Sequence, residues 1–343
     1  MNTAPHVSVI IPCRNEVKYI GACLDSLLAS DYPRERLEIL IVDGMSDDGT
    51  RAVVERYAGA SPITRIVDNT QRVTPAALNL GLAHARGSIV MLMGAHAACS
   101  SSYISGAVAW LARSGADAVG GLCIARPGRD SAVGRAIAAA VSHPFGVGNS
   151  HFRTGVDEPR WVDTVPFACY RRELFDRVGH FDEQLLRDQD DEFNQRILRH
   201  GGRLLLVPGI ASEYYARESF GQLWRMFFQY GYFKPLVVRK VGGVLTGRQL
   251  VPALFVSSLL LAALLAPALG VARLLFALAL GAYMAVEMAV ALTVTPRIGV
   301  RAGLALLLAF PVLHLSYGIG YLWGAVDFLI RDRRAVGPVA LSR

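Results

Sequence analysis

No Gly-x-Gly-x-x-Gly follows the first apolar strand of this chain, which disfavours a nicotinamide-dependent dinucleotide fold. Cysteine is sparse and scattered. Cys13, Cys23, Cys99, Cys123 and Cys169 include no Cys-x-x-Cys pair, a distribution that fits reduced cytosolic thiols better than a disulfide frame or a zinc site. Lys and Arg form no stripe interleaved with aromatics, so the formal net charge of +7 is not a nucleic-acid footprint. Its Arg clusters lie beside long apolar runs, the pattern of charge at a membrane surface. The opening MNTAPHVSVIIPCRNE lacks a basic stretch followed by a long apolar run. No signal peptide is evident, and the catalytic part is expected to stay inside the cell.

At 343 residues the chain is long for one α/β unit and comfortable for a catalytic domain with an appendage. Composition changes near residue 245, where alternating charged and apolar residues give way to runs of Leu, Ala and Val. Val7 to Ile11, Glu38 to Val42, Ile63 to Val67, Ile89 to Met93 and Ala118 to Cys123 read as strands. Helical patterns lie between them, one opened by Thr74-Pro75 and one near Ser102 to Arg113. Such alternation predicts a mostly parallel sheet covered on both faces, with ligands beyond the carboxyl ends of its strands. The loops Pro12 to Glu16, Asp43 to Thr50 and Gly94-Ala95-His96 should converge there. Gly128 to Pro159 has weak periodicity and reads as a variable connection or lid. Arg203 to Val207 is a further strand closed by Pro208-Gly209.

Arg187 to Ile197, RDQDDEFNQRI, concentrates acids at a helix start. Phe193 and Ile197, four apart, give it a buried face. The helix dipole favours carboxylates in the first turn by roughly 0.3–1 kcal/mol each, so an acid-rich helix start and a general base at a helix entrance are competing readings. Ser219 to Gln222 reads as a capping box, followed by Phe220, Leu223, Trp224, Phe227 and Phe228 on one face of an interfacial helix. Three apolar runs follow, Leu250 to Leu269, Val271 to Leu292 and Gly303 to Ile330, each long enough for the ~20 residues that a membrane crossing needs. Arg239, Lys240, Arg248, Arg297 and Arg301 place the first entry and the second hairpin on the cytoplasmic side, while Arg331, Arg333 and Arg334 disagree after a third crossing. Pro311 and nearby glycines suggest a break or re-entry in the last run. Glu287, near the cytoplasmic end of the second, is expected to snorkel.

VSVIIPCRNE, EILIVDGMSDDGT, ALNLGLAHARG, FACYRRELFDRVGHFDEQL and RDQDDEFNQRIL, in this order, resemble the family 2 glycosyltransferases of GT-A fold, and within them the membrane-attached enzymes similar to succinoglycan-biosynthesis glycosyltransferases. The likeness covers about residues 5 to 235. It implies a GT-A domain over 1–218, an amphipathic helix and linker over 219–248, about three transmembrane helices over 249–330 and a basic tail over 331–343. It implies that Pro12, Arg14, Asn15 and Glu16 lie along the nucleotide and that Asp43 accepts from the base. Ser46 and Asp48 match the turn that follows, where turn chemistry and helix capping are the rival roles. Arg72 and Asn79 are expected near the sugar or diphosphate, and Gln222 and Arg225 loosely echo the family's Gln-x-x-Arg-Trp element.

Where the family carries Asp-x-Asp for a divalent cation, this chain has Gly94-Ala95-His96. An imidazole can ligate Mn²⁺ and suits Mg²⁺ poorly, so His96 is the candidate contact to metal or phosphate. The family's Glu-Asp pair matches Gln189-Asp190, which makes Asp190 the expected base and Asp191 the alternative. The implied reaction is attack by a hydroxyl of a lipid-linked glycan on the anomeric carbon of a nucleotide sugar, a UDP-sugar foremost, with inversion. The enzyme would be multi-pass in the inner membrane with a cytoplasmic catalytic domain. A polyprenyl-phosphate monosaccharide synthase and a non-catalytic nucleotide-sugar-binding scaffold are the competing readings.

Overall fold

The structure, a computed structural model, describes residues 4–243 and 246–333. Residues 334–343 of the expected basic tail, Arg334 among them, lie outside the described residues. The chain forms two compact units, one of the residues up to Ile124 with Gly155–Tyr214, the other of Ala125–Thr154 with the residues from Tyr215 onward. Its strands are β1 (Val7–Cys13), β2 (Leu37–Asp43), β3 (Thr64–Asp68), β4 (Ile89–Leu92), β5 (Ala97–Cys99), β6 (Ala118–Arg126), β7 (Arg160–Val162), β8 (Cys169–Arg171) and β9 (Leu204–Tyr215). Its helices are α1 (Ile20–Leu28), α2 (Thr50–Ala60), α3 (Thr74–His84), α4 (Tyr103–Ser114), α5 (Ala132–Ala140), α6 (Pro144–Val147), α7 (His151–Thr154), α8 (Glu173–Val178), α9 (Gln189–Arg199), α10 (Phe220–Val241), α11 (Val251–Leu265), α12 (Gly270–Ile298) and α13 (Val300–Ala325).

The sheet of the first unit runs β3-β2-β1-β4-β8-β6-β9-β5, with β7 on β9. β1 pairs in parallel with β2 and β4, and β2 with β3. β8 is antiparallel to both β4 and β6, so β4 and β6 point the same way and the parallel edge continues across it. Val9, Ile10, Ile11, Ile39, Leu40 and Ile41 are fully buried, as strands covered on both faces require. The carboxyl ends of β1, β2, β3 and β4 thus share one edge.

Several features depart from the sequence reading. Thr74, a residue suited to the N-cap, is instead with Pro75 among the first helical residues of α3, whose cap position is Val73 with no side-chain bond. Pro208-Gly209 does not end β9. The strand continues because β7 pairs with Leu204 to Leu206 and β5 with Ser212 to Tyr214, so the residue without an N–H falls in the gap between them. Residues 128–154 of the expected connection belong to the second unit and form α5 to α7, where the Phe145 ring meets Phe310 and His314 of α13 at 4.9 and 5.2 Å.

In the second unit, Gly247–Leu265, Gly270–Ile298 and Val300–Ile330 are long and apolar enough to cross a membrane. The expected break in the last run is absent, since α13 is continuous through Pro311. Its glycines are a contact face instead: a Cβ at Gly320 would overlap the Phe228 carbonyl, and one at Gly324 the Tyr232 carbonyl. The equal four-residue steps make α10 and α13 parallel neighbours. The Tyr232 hydroxyl then donates to Asp327 at 2.9 Å, and Arg239 donates to the Phe328 carbonyl at 2.6 Å. Much of the apolar face of α10 is therefore covered by its own chain. Glu287 does not snorkel; it is 5% exposed and its Oε1 meets no hydrogen-bond partner among the described residues.

Candidate active site

Two loops at the parallel edge are tied together by side chains rather than by strand pairing. Asn15 N–H donates to Ser46 Oγ at 3.0 Å, and the Asn15 amide exchanges bonds with Asp47 at 2.9 and 3.0 Å. Glu16 N–H donates to Thr50 Oγ1 at 2.7 Å and Val17 N–H to Asp48 Oδ2 at 3.2 Å. Ser46 and Asp48 thus serve turn and cap chemistry. Slight burial works to raise the Asp48 carboxyl pKa, but bonds from the Thr50 hydroxyl, the Thr50 N–H and the Val17 N–H overcome it and leave the group below the ordinary carboxylate value.

Asp43, at the end of β2, is 1% exposed. It accepts from the Ser46 hydroxyl at 2.6 Å and from Arg51 at 3.4 Å, and Arg51 also pairs with Asp68 at the end of β3. The sequence reading missed Arg51, whose only signal is a cation in the first turn of a helix that follows the acid. Arg14 lies over Gly44 and donates to the Arg72 carbonyl at 3.3 Å, so the two exposed guanidinium-bearing residues come from adjoining loops. Pro12 stands in register with Val42, beyond the Ile10–Leu92 pair where β4 stops pairing with β1, and so needs no N–H on that side.

His96 follows β4. Its Nδ1 is 3.2 Å from Glu16 Oε1 and its ring meets Tyr214 edge-on at 5.4 Å, which links the loops after β1 and β4. Asn79 is used structurally, giving its amide to the Phe181 carbonyl and to Glu183, both at 2.9 Å, while accepting from Phe181 N–H at 2.9 Å. That clasp holds the segment leading to α9. Among the described residues, five of the six non-glycine residues with positive φ, Asn15, Met45, Arg72, Phe167 and Asp188, lie on the loops that lead from these strand ends or into β8 and α9. Such conformations typically cost ~1–3 kcal/mol each and collect where a loop must aim a group.

α9 begins at Gln189 after Asp188 in the left-handed region. Phe193 anchors it against Tyr170, Phe175 and Phe181. Glu192 is committed to a two-pronged bond with Arg196, both contacts at 2.8 Å, and Asp191 is buried. Of the acids in 188–192 only Asp190 is exposed. Burial foremost, and the Asp190 charge after it, raise the pKa of the Tyr170 hydroxyl on β8. Gln222 and Arg225 belong to the second unit. There Gln222 Oε1 accepts from Glu218 N–H at 3.0 Å, closing the cap of α10 with Ser219, and Arg225 reaches back to the Gly221 carbonyl at 3.4 Å.

The match to the description "Glycosyl transferase family 2" spans residues 8–179, half of the chain, and takes in both zipped loops and the β4 end. The chain belongs to this family. It is 31% identical over 243 residues to the dolichyl N-acetyl-alpha-D-glucosaminyl phosphate 3-beta-D-2,3-diacetamido-2,3-dideoxy-beta-D-glucuronosyltransferase of Methanococcus voltae, covering 68% of this chain and 74% of that protein. It is 30% identical to the succinoglycan biosynthesis protein ExoA of Rhizobium meliloti, covering 65% and 67%. Among solved structures it resembles the mannosyltransferase PcManGT from Pyrobaculum calidifontis in complex with GDP-Man and Mn²⁺, with a TM-score of 0.59 at 25% identity over 97% of this chain and 89% of that one. The glycosyltransferase has a GT-A fold followed by three apolar helices.

PcManGT was solved with Mn²⁺, and the residues at this strand end do not fit such an ion well. Gly94 offers no ligand, His96 is engaged with Glu16, and the described residues include no group of three His, Cys, Asp or Glu able to hold a metal ion.

Proposed function

We propose that this glycosyltransferase moves a sugar from a nucleoside diphosphate donor, a UDP-sugar foremost, to a hydroxyl of a lipid-linked saccharide, with inversion at the anomeric carbon. Asp43 and the loop Pro12 to Glu16 receive the nucleotide, Arg14, Arg72 and His96 face its diphosphate, and Asp190 removes the hydroxyl proton as the new bond forms. The observation that carries this reading is the sorting of acids at the start of α9, where Asp191 is buried and Glu192 is paired while Asp190 stays exposed. A base does not need a raised pKa when the hydroxyl loses its proton only in the transition state. The lipid-linked acceptor is supported by the dolichyl-phosphate name of the Methanococcus relative and by the three apolar helices, and Arg239, Lys240 and Arg248 before the first of them favour a catalytic domain on the cytoplasmic face of the inner membrane.

The test is release of nucleoside diphosphate from a panel of nucleotide sugars, in membranes containing native lipid acceptors, for the wild type, Asp190→Asn and Asp191→Asn. Asp190→Asn is expected to lower kcat by about 10²–10⁴-fold with nucleotide affinity kept. Unchanged turnover in that variant, or the loss appearing in Asp191→Asn instead, removes Asp190 from the mechanism. Turnover with polyprenyl phosphate as the sole acceptor would identify a monosaccharide-phosphate synthase.

A further inference from the structure

We propose that the Phe167 ring occupies the space of the missing acid at the end of β4, so that the donor's diphosphate is met by Arg14 and Arg72 instead of by a cation held between two protein ligands. The inference rests on the functional reading above and concerns how its donor site is built. A Cβ placed on Gly94 would stand 2.9 Å from Phe167 Cε1 and 3.3 Å from Cζ, with His96 Cε1 at 3.9 Å. A side chain at 94 would therefore point into the phenyl ring on the side where His96 lies, and a carboxylate there would face an apolar ring edge.

The ring packs, partly buried, against the core of the first unit, and the backbone that carries it is held. Phe167 has a φ of 44°, unusual for a bulky residue. Its backbone is held on the side that leads into β8: the Phe167 carbonyl accepts from Tyr103 Oη at 3.2 Å, and the next residue's carbonyl accepts from Leu92 N–H at 3.1 Å. Tyr103 is fully buried and its hydroxyl accepts from Gly121 N–H at 3.0 Å, so the anchor is itself part of the core. Cys169, two residues on, is fully buried and in register with Met91 of β4. Gly94 and Phe167 are thus two halves of one feature, and adding the acid alone would not rebuild a metal site.

The charge must come from elsewhere. Arg14 and Arg72 carry exposed cationic side chains on the loops after β1 and β3, and the Arg14 guanidinium already reaches the Arg72 backbone. Two guanidinium groups can bind phosphate oxygens in paired, charge-assisted hydrogen bonds without any metal.

The experiment is calorimetric binding of UDP and of GDP to the purified full-length chain, with Mn²⁺ or with chelator, and needs no turnover. The wild type is expected to bind its nucleotide within about twofold in the two conditions, and Arg14→Ala with Arg72→Ala to weaken binding at least tenfold in both. Gly94→Asp alone should lower the melting temperature and gain no Mn²⁺ response. Gly94→Asp combined with Phe167→Ala should bind nucleotide about tenfold more tightly with Mn²⁺ than with chelator. Wild-type binding that needs Mn²⁺, or a full Mn²⁺ response from Gly94→Asp alone, overturns the proposal. The wild-type comparison decides even if the double variant does not fold. A chain that binds neither nucleotide in any condition loses the functional reading and this proposal with it, whereas Mn²⁺-dependent binding costs only the proposal.

Discussion

Truncating Phe193 to Ala tests whether the helix that presents Asp190 is held by its aromatic anchor. Phe193 is fully buried, with the ring centroids of Phe181, Phe175 and Tyr170 at 4.6, 5.2 and 5.6 Å and the Arg196 guanidinium at 5.2 Å. Removing a buried Phe side chain typically costs about 3–5 kcal/mol. With three ring neighbours, each aromatic pair adding ~0.5–1.5 kcal/mol beyond area, the upper half of that range applies. At roughly 2–4 °C per kcal/mol for a domain of this size, about 4 kcal/mol lowers the melting temperature by about 8–16 °C. Phe193→Leu keeps more of the volume but loses the ring contacts, and should cost less than Phe193→Ala. Activity should fall as well, because a shift of about 1 Å in a reacting group can cost about 10²-fold. Thermal unfolding in detergent and nucleotide release on the same preparation measure both. A Phe193→Ala protein that melts within about 2 °C of wild type would show that the ring cluster does not secure α9.

Two further outcomes follow from particular contacts. Gly324→Ala puts a methyl into the Tyr232 carbonyl, an overpacking worth about 1–3 kcal/mol, whereas Gly281→Ala, with nothing within 4 Å, should not destabilise; thermal melts of both variants make the comparison. Asp48 has a folded pKa below its ordinary value, so its contribution to stability is complete above about pH 3.9 and is lost as pH falls from there through the lower folded value. Asp48→Asn should accordingly show a shallower loss of stability on acidification than wild type, measured by urea unfolding from about pH 6 down to about pH 3.

The parallel edge was legible because its residues combine two patterns that a sequence displays directly. Continuous buried runs such as Val7 to Ile11 and Leu37 to Val42 end in polar loops, and the loops carry the residues that bond to each other. The segment before β8 was not legible. Phe167 in VPFACY looks like any strand aromatic, and neither its positive φ nor its contact with Gly94 leaves a trace in residue spacing. β5, β7 and β8 are three residues each, too short for alternation to register. At α9, periodicity identified the buried face of Phe193 and Ile197. Residue spacing announces neither the pairing of Glu192 with Arg196, a full turn away, nor the burial of Asp188 and Asp191, which together leave Asp190 the exposed acid.

The glycines of α13 mislead for a related reason. Gly in a helix interior costs about 1 kcal/mol relative to Ala, so Gly318, Gly320 and Gly324 beside Pro311 look like an interruption when the helix is taken alone. In the folded unit, Gly318 meets Val256 of α11 while Gly320 and Gly324 meet backbone carbonyls of α10, at distances that any side chain would prevent. Small residues one turn apart let helices approach in an apolar environment, where packing rather than water exclusion joins them. The propensity loss is offset by contact along α10, and Gly231 of α10 repeats the device against Tyr317 and Tyr321. A helix so covered on one side has less lipid-facing surface than its hydropathy implies: half of its most apolar stretch is buried, against 11% in each of the other two apolar helices. Counting apolar runs therefore measures the length available for crossing a membrane but not how much of each run faces lipid. Here the placement of glycine one turn apart distinguishes the apolar helix most covered by its own chain from the two that are mostly exposed.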